Sequence, residues 1–194
     1  MSRNRCTIRT TLLGLLLVAG CATVAPYHFT NYTTDFDALD AMRQKRVAVL
    51  AFNDPSGDWR TTGNTLSNEF SLQLGKTGRF DIVEREKVNE LFREQDFDPS
   101  RLDASTAADC GRMLGAHGVF MGTVTEFRQG KVGMNVKLVV VETGRIAWQA
   151  SDVLSGHDAR VRALVDDPED RERLEHSPEF LGRILCRLMA ETMK

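Results

Sequence analysis

The chain has 194 residues, with 25 basic and 27 acidic side chains and a formal charge of −2. Hydrophobic residues make up 42% and charged ones 27%, ordinary values for a globular domain. Such a balance argues against nucleic acid or an anionic membrane face as the main partner, because both reward a positive surface.

In chain order the first element is a leader. Arg3, Arg5 and Arg9 precede the apolar run Leu12 to Val18, and the small residues Ala19 and Gly20 lead to Cys21. A basic head, a short apolar run and small residues before a cut site describe a secretory signal peptide. The run is too short to span a bilayer, which takes roughly 20 apolar residues. Removing residues 1–20 takes away three arginines and no acidic residue, so the mature chain carries 22 basic against 27 acidic side chains, a charge of −5. What remains is long enough for one domain with a real core.

The ending Val18-Ala19-Gly20-Cys21 resembles the lipobox of bacterial lipoproteins. That resemblance implies that Cys21 receives a diacylglycerol and becomes the first mature residue and the membrane anchor. Acyl chains contribute ~0.8 kcal/mol per buried CH2, so several of them hold a protein on a bilayer essentially permanently. Ala22, in place of the Asp tied to inner-membrane retention, implies the outer membrane and its periplasmic face.

Of the four cysteines, Cys6 leaves with the leader and Cys21 is lipidated, which leaves Cys110 and Cys186. Either these two pair, as an oxidising compartment allows, or they are buried hydrophobes, as the stripe Ala107, Cys110 and Leu114 suggests for Cys110. No Cys or His pair has metal-ligand spacing, so neither a metal nor a cofactor is expected.

Residues 21–45 read as a lipidated tether, with Asp35 to Lys45 weakly helical. Twenty-four flexible residues would reach roughly 25–30 Å. Tyr27, Phe29, Tyr32 and Phe36 are more aromatic than a spacer needs, and part of this segment is expected to pack on its own domain. The single folded domain is placed at 46–194.

Arg46 to Phe52 is a short apolar run stopped by Asn53-Asp54-Pro55 and predicts a buried strand. After a loop over 53–62, Leu66, Phe70 and Leu74 mark a helix lying on a sheet, which Gly78 ends. Phe80 to Val83 predicts a short strand, and Glu84 to Gln95 a helix with Val88, Leu91 and Phe92 on one face. A further helix over 105–114 is capped by Asp103 or Ser105 and ended by Gly115.

Three strands follow, at 118–127, 132–142 and 145–154, joined by the turns Arg128 to Lys131 and Thr143-Gly144. Val132, Met134, Val136, Leu138 and Val140 share one face of the middle strand and Asn135 and Lys137 the other, and Ile146 and Trp148 share one in the last, so one face of the meander is core and the other at least partly wet. The charged stretch 156–177 predicts a solvated loop or short surface helix. Leu181, Ile184, Leu185 and Leu188 predict a core-facing helix from Pro178 to Met193. The expected fold is α/β: a mixed sheet of about five strands, ending in an antiparallel meander, packed by about four helices.

Catalytic signatures are absent from the sequence. It holds no Gly-x-Ser-x-Gly, no His-Glu-x-x-His and no phosphate loop ending in Gly-Lys-Ser/Thr. The stretch Gly57 to Gly63 stands where phosphate loops stand in α/β folds, but carries Trp59 and Arg60 where the lysine would be; a small-molecule or hydrolytic site there is the alternative reading. Arg85, between Glu84 and Glu86, reads as a bridge between elements or subunits, and Gly122 as a close backbone approach or a bulge. Trp59, with Arg60 beside it, is the best candidate for contact with a protein partner.

Several words in this order are familiar. They are Arg46 to Phe52; Gly78-Arg79-Phe80-Asp81-Ile82-Val83-Glu84-Arg85; Gly115 to Thr125; and Val141-Glu142-Thr143-Gly144-Arg145-Ile146-Ala147-Trp148. Together with the lipobox they resemble the CsgG-type family of bacterial lipoproteins, and also the LpoB-type activators of peptidoglycan synthases. The resemblance implies a non-catalytic accessory in envelope biogenesis or curli-like secretion, with an envelope protein or further copies of itself as partner. The curli channel builds a barrel from extra hairpins, whose strands need ~9–11 residues each. The turn at 128–131 leaves no room for them and the 156–177 stretch is too charged to face lipid, so no pore is expected.

Overall fold

The computed structural model describes residues 24–54, 59–95 and 98–194. Its strands are β1 (Tyr32–Thr34), β2 (Arg46–Val49), β3 (Asp81–Ile82), β4 (Gly118–Arg128), β5 (Lys131–Val140) and β6 (Ile146–Ser155). They form one mixed sheet in the order β1-β6-β5-β4-β2-β3. β2 runs parallel to both β3 and β4, while β4, β5, β6 and β1 are mutually antiparallel. β4 turns into β5 through Gln129 and Gly130 alone, and Gly130 takes the φ of +67° that so tight a turn requires.

The helices are α1 (Phe36–Ala41), α2 (Asn64–Lys76), α3 (Arg85–Glu94), α4 (Ala104–Met113), α5 (Ala159–Arg162), α6 (Pro168–His176) and α7 (Pro178–Glu191). α2 and α7 lie side by side on one face of the sheet. Leu66, Phe70 and Leu74 of α2 and Leu181, Leu185 and Met189 of α7 share a core with Phe120, Met134, Leu138 and Trp148. Phe70 meets the Phe120 ring edge-on at 5.3 Å, and the Trp148 Nε1–H donates to Thr192 Oγ1 at 2.9 Å. α3 and α4 cover the other face, where Val88, Leu91, Ala107 and Cys110 pack on Ala48, Leu50, Val119 and Val139. β2 feeds both cores, Val47 and Val49 one way and Ala48 and Leu50 the other, which is why it reads as a continuous apolar run.

The described part of the expected tether is folded onto the domain from Tyr27 onward. β1 adds antiparallel to β6, with Tyr32 opposite Ala150 and Thr34 opposite Trp148, so the sheet has a sixth strand. Asp35 caps α1 by accepting from the Ala38 N–H at 3.1 Å and pairs with Arg145 at 2.5 Å. Phe29, Leu39 and Met42 are buried in the larger core. The buried Arg79 guanidinium holds α1 from below, donating to the Leu39 carbonyl at 3.2 Å. A three-residue strand and a six-residue helix are too short for hydrophobic period to announce them. The signal peptide and Cys21 lie outside the described residues.

Two further expectations are corrected. Cys110 and Cys186 are both free and buried, one in each of the cores that the sheet separates, so they form no disulfide. Ile146 does not share the buried face of Trp148: the register slips between Leu138 and Val139, which face Trp148 and Ile146 respectively. Ala147 is the extra residue of this bulge, and Ile146 is left 41% exposed. The charged stretch resolves into the short helices α5 and α6, which bury little beyond Val161 and Leu174.

A chain beginning at Arg46 should therefore be a damaged domain and not a trimmed one. Losing the burial of Phe29, Leu39 and Met42, at ~2 kcal/mol each, lowers the melting temperature by more than about 10 °C relative to a chain beginning at Ala22. Circular dichroism melts check this, and identical melts would restore the tether reading.

Candidate functional site

The two faces of the sheet are unequally covered. α2 and α7 span the larger core, but α3 and α4 reach only over β2, the start of β4 and the end of β5. Among the described residues no helix covers the rest of that face. Strand alternation places Thr123 of β4, Asn135 and Lys137 of β5 and Gln149 and Ser151 of β6 on it, each the outward neighbour of a buried residue, and Thr33 of the exposed edge strand β1 joins them. These side chains floor a trough of about 570 Å³, walled on one side by Ser100 and Leu102 ahead of α4 and on the other by β1.

The trough has a distinctive chemistry. Its described lining holds amides and hydroxyls, with Lys137 as its sole charged residue and no carboxylate, although the chain carries 27 acidic residues. Ser151 Oγ donates to Asn135 Oδ1 across the β5–β6 pair, and Asn31 Nδ2 donates to the Ser151 carbonyl at the β1 edge. The floor is brought close to β2 by Gly122: a Cβ there would lie 2.7 Å from the Asn135 carbonyl oxygen and 2.9 Å from Phe52. Asn53, just past β2, exploits that gap, donating its N–H to the Gly122 carbonyl and accepting from the Val124 N–H, both at 2.8 Å. Amides and hydroxyls arrayed around the ammonium of Lys137 can hydrogen-bond to polar surface.

Arg85 is the second polar centre, and it is architectural. Its guanidinium donates to the Val49 carbonyl at 2.7 Å, Asn64 Oδ1 at 2.6 Å and Ser67 Oγ at 3.1 Å, tying β2, α2 and α3 together. Burial pushes its pKa down to about 10, so it stays protonated at neutral pH. The bridging role read from sequence holds. Beside it, Leu72 stands 56% exposed in a hollow between α2 and the start of α3 that Glu84 and Glu86 line.

The other sequence candidates fall elsewhere. Residues 55–58 and the side chains of Trp59 and Arg60 lie outside the description, and so does Cys21. The backbone of Trp59–Gly63 forms a π turn that runs directly into α2, where a loop over 53–62 was expected. His28, His117, His157 and His176 are exposed; His157 faces Glu175 at 3.6 Å and His176 faces the Glu172 carbonyl at 3.0 Å. Cys110 is inert, its thiol pushed up to about 11 by burial. Among the described residues no cluster of His, Cys, Asp and Glu could hold a metal ion, and no helix is long and apolar enough to cross a membrane.

A family model described as the curli production assembly/transport component CsgG matches residues 30–135. The chain belongs to the CsgG family. The match starts inside the segment expected to be a tether, at the edge strand β1, and runs to Asn135 on the floor of the trough. No curated protein matches the sequence. Among solved structures, the PelC dodecamer from Paraburkholderia phytofirmans is similar at 16% identity over 76% of this chain and 86% of that one, with a TM-score of 0.48. Lipoprotein GNA1162 from Neisseria meningitidis is similar at 18% identity, over 57% and 80% of the two chains, with a TM-score of 0.47. The LpoB C-terminal domain from Escherichia coli is similar at 21% identity, over 59% and 84%, with a TM-score of 0.43. In this member of the CsgG family β6 and α7, both beyond the matched region, supply Trp148 and the Leu181–Met189 stripe of the larger core.

The sequence marked this face of the meander as wet but did not assemble the trough, which is made of ordinary outward residues from four strands. The one available signal was the polar alternation of Asn135 and Lys137. If Arg85 is the architectural tie described here, Arg85→Met lowers stability by roughly 2–4 kcal/mol, since it strands the Val49 carbonyl. Arg85→Lys recovers only part of that, because one ammonium cannot reproduce a planar fork. Urea unfolding midpoints decide; an unaffected Arg85→Met protein would free Arg85 for a role in binding.

Proposed function

We propose that this protein is an outer-membrane lipoprotein, anchored through Cys21 and facing the periplasm, that serves as a non-catalytic accessory in envelope assembly or curli-like export. Membership of the CsgG family over residues 30–135 carries this reading. Two sequence features support it: the lipobox ending at Cys21, and the lack of any nucleophile–base pair or phosphate loop. The protein makes no pore of its own. Gln129 and Gly130 alone close the β4–β5 turn, where barrel-building strands of ~9–11 residues each would have to be inserted.

Function then resides in surfaces. The uncovered part of the sheet is the surface of choice, because it is flat, rich in neutral donors and acceptors, and free of carboxylates in a chain that is otherwise acidic. Its partner is a protein of the envelope or a further copy of this chain. Light scattering on the domain separates the two, since a strict monomer removes self-assembly.

Cys21→Ser should move the protein out of the membrane fraction, as an unprocessed or soluble form. Purified acylated protein should give no conductance in planar bilayers. A photo-crosslinker in place of Asn135 or Gln149 should trap the same envelope protein in vivo that one at Glu172, on the outer side of α6, fails to trap. Retention of a processed Cys21→Ser protein, stable conductance, or equal trapping from all three positions would each overturn the corresponding part.

A further inference from the structure

We infer that the domain is held with one particular end against the phospholipid surface: the end formed by the β4–β5 turn, His157 and α5. The inference rests on the Cys21 anchor proposed above and adds to it a point of departure. Tyr27 is pinned to this end of the domain. Its N–H donates to the Arg160 carbonyl at 2.9 Å, its hydroxyl donates to Asp152 Oδ2, and its ring lies 5.6 Å from the Arg160 guanidinium carbon. Phe29, two residues on, is buried, whereas Val24 to Pro26 are exposed. The chain therefore leaves the domain at Tyr27, six residues after Cys21. Six extended residues span at most about 20 Å.

The same end is well defined in the fold. Gly156 N–H donates to the Gly130 carbonyl at 3.0 Å, and a Cβ on Gly130 would stand 3.0 Å from His157 Nε2. Lys131 pairs with Ser155 where β5 starts and β6 ends. The turn over 141–145, Gln44 and Gly115 lie at the far end of ten-residue strands, about 30 Å away. A 20 Å leash fixed at Tyr27 keeps the near end at the headgroups and directs the far end into the periplasm.

Attraction to anionic lipid plays no part in this. Among the described residues most cations at that end have a carboxylate partner: Arg128 and Lys131 share Glu126 at 3.1 and 3.3 Å, Arg160 holds Asp158 at 2.7 Å, Arg162 holds Glu175 and Arg173 holds Asp170 at 2.9 Å, while Arg171 donates to the Val165 carbonyl at 3.1 Å. The nearby acidic residues Asp166, Asp167, Glu169 and Asp170 add negative charge. Orientation comes from the length of the leash and the site of its attachment.

The test uses full-length acylated protein on vesicles of phosphatidylethanolamine and phosphatidylglycerol that carry a headgroup-linked acceptor dye. A donor dye goes on Gln129→Cys in one preparation and on Thr143→Cys in another. Gln129 and Thr143 are exposed, and the remaining thiols, Cys110 and Cys186, are buried. Energy transfer from position 129 should exceed that from 143 by about threefold or more, given their ~30 Å separation. The difference should be insensitive to the phosphatidylglycerol fraction, and should collapse when 20 Gly/Ser residues are inserted after Ala22. Equal or reversed transfer from protein that is acylated and floats with the vesicles overturns the orientation alone. Protein that mass spectrometry finds unacylated and that does not float overturns the anchor and the orientation together.

Discussion

The packing of Trp148 against Phe120 and Phe70 under α2 and α7 is the contact on which the rest of this domain depends. Those three side chains come from β6, β4 and α2, so their meeting sets the height of the helical layer over the sheet. Trp148 is fully buried, and its indole N–H must find an acceptor there; Thr192, at the end of α7, supplies it. The bulge at Ala147 belongs to the same solution. It re-aims β6 just before Trp148, so that the indole enters the core while Ile146 turns out. An aromatic this large fills the seam between two helices with little room for slippage, and the C-terminal helix is thereby committed to the face opposite the trough.

From that commitment follows the asymmetry that matters for function. One face of the sheet carries two long helices side by side and is closed. The other carries α3 and α4, of ten residues each, which pack on β2, β4 and β5. A sheet face that no helix covers must be polar or be partnered. Here it is polar: Thr123, Asn135, Lys137, Gln149 and Ser151 each stand next to a buried residue, and Thr33 of the exposed edge strand joins them. Arg85 sits at the border between the covered and hollow parts of the structure and draws β2, α2 and α3 into one rigid unit, so the trough is floored by a stiff support.

Most of the secondary structure was legible because the period was strong. Leu66, Phe70 and Leu74, or Val132 to Val140, announce their elements by spacing alone, and Asp103 and Gly115 mark the two ends of α4 in the expected way. The misreadings have a common cause. β1 and α1 are short pieces whose fit is decided by where β6 ends up, a tertiary matter with no local pattern. Ile146 obeys the alternation rule on paper and breaks it in the fold, because a bulge shifts phase by one residue. Cys110 and Cys186 could be counted from sequence, but only topology places them on opposite sides of one sheet. The trough was nearly illegible for a similar reason: its six polar residues come from four strands, and none stands out within its own strand.

Moving residues 27–45 from tether to domain changes the physical character of the anchor. A flexible leash of 24 residues would let the domain sample a wide shell above the membrane, and search for a partner by diffusion. Under the proposed Cys21 anchor, only five residues separate the lipid from the pinned Tyr27, and the anchor would act as a mount and not a tether. In the orientation inferred above, strands β4 to β6 would rise from the membrane and the trough would face sideways, parallel to the bilayer plane. A partner reaching that face must itself be close to the same membrane, at a local concentration set by two dimensions and not three. Copies of this chain mounted alike on one membrane meet that requirement without further adaptation, as does any envelope protein fixed in the same leaflet. The surface chemistry fits such an arrangement, since a neutral, amide-rich face needs prolonged proximity more than long-range steering. Membrane attachment is in this view a part of recognition, supplied by the shortness of the link as much as by the lipid.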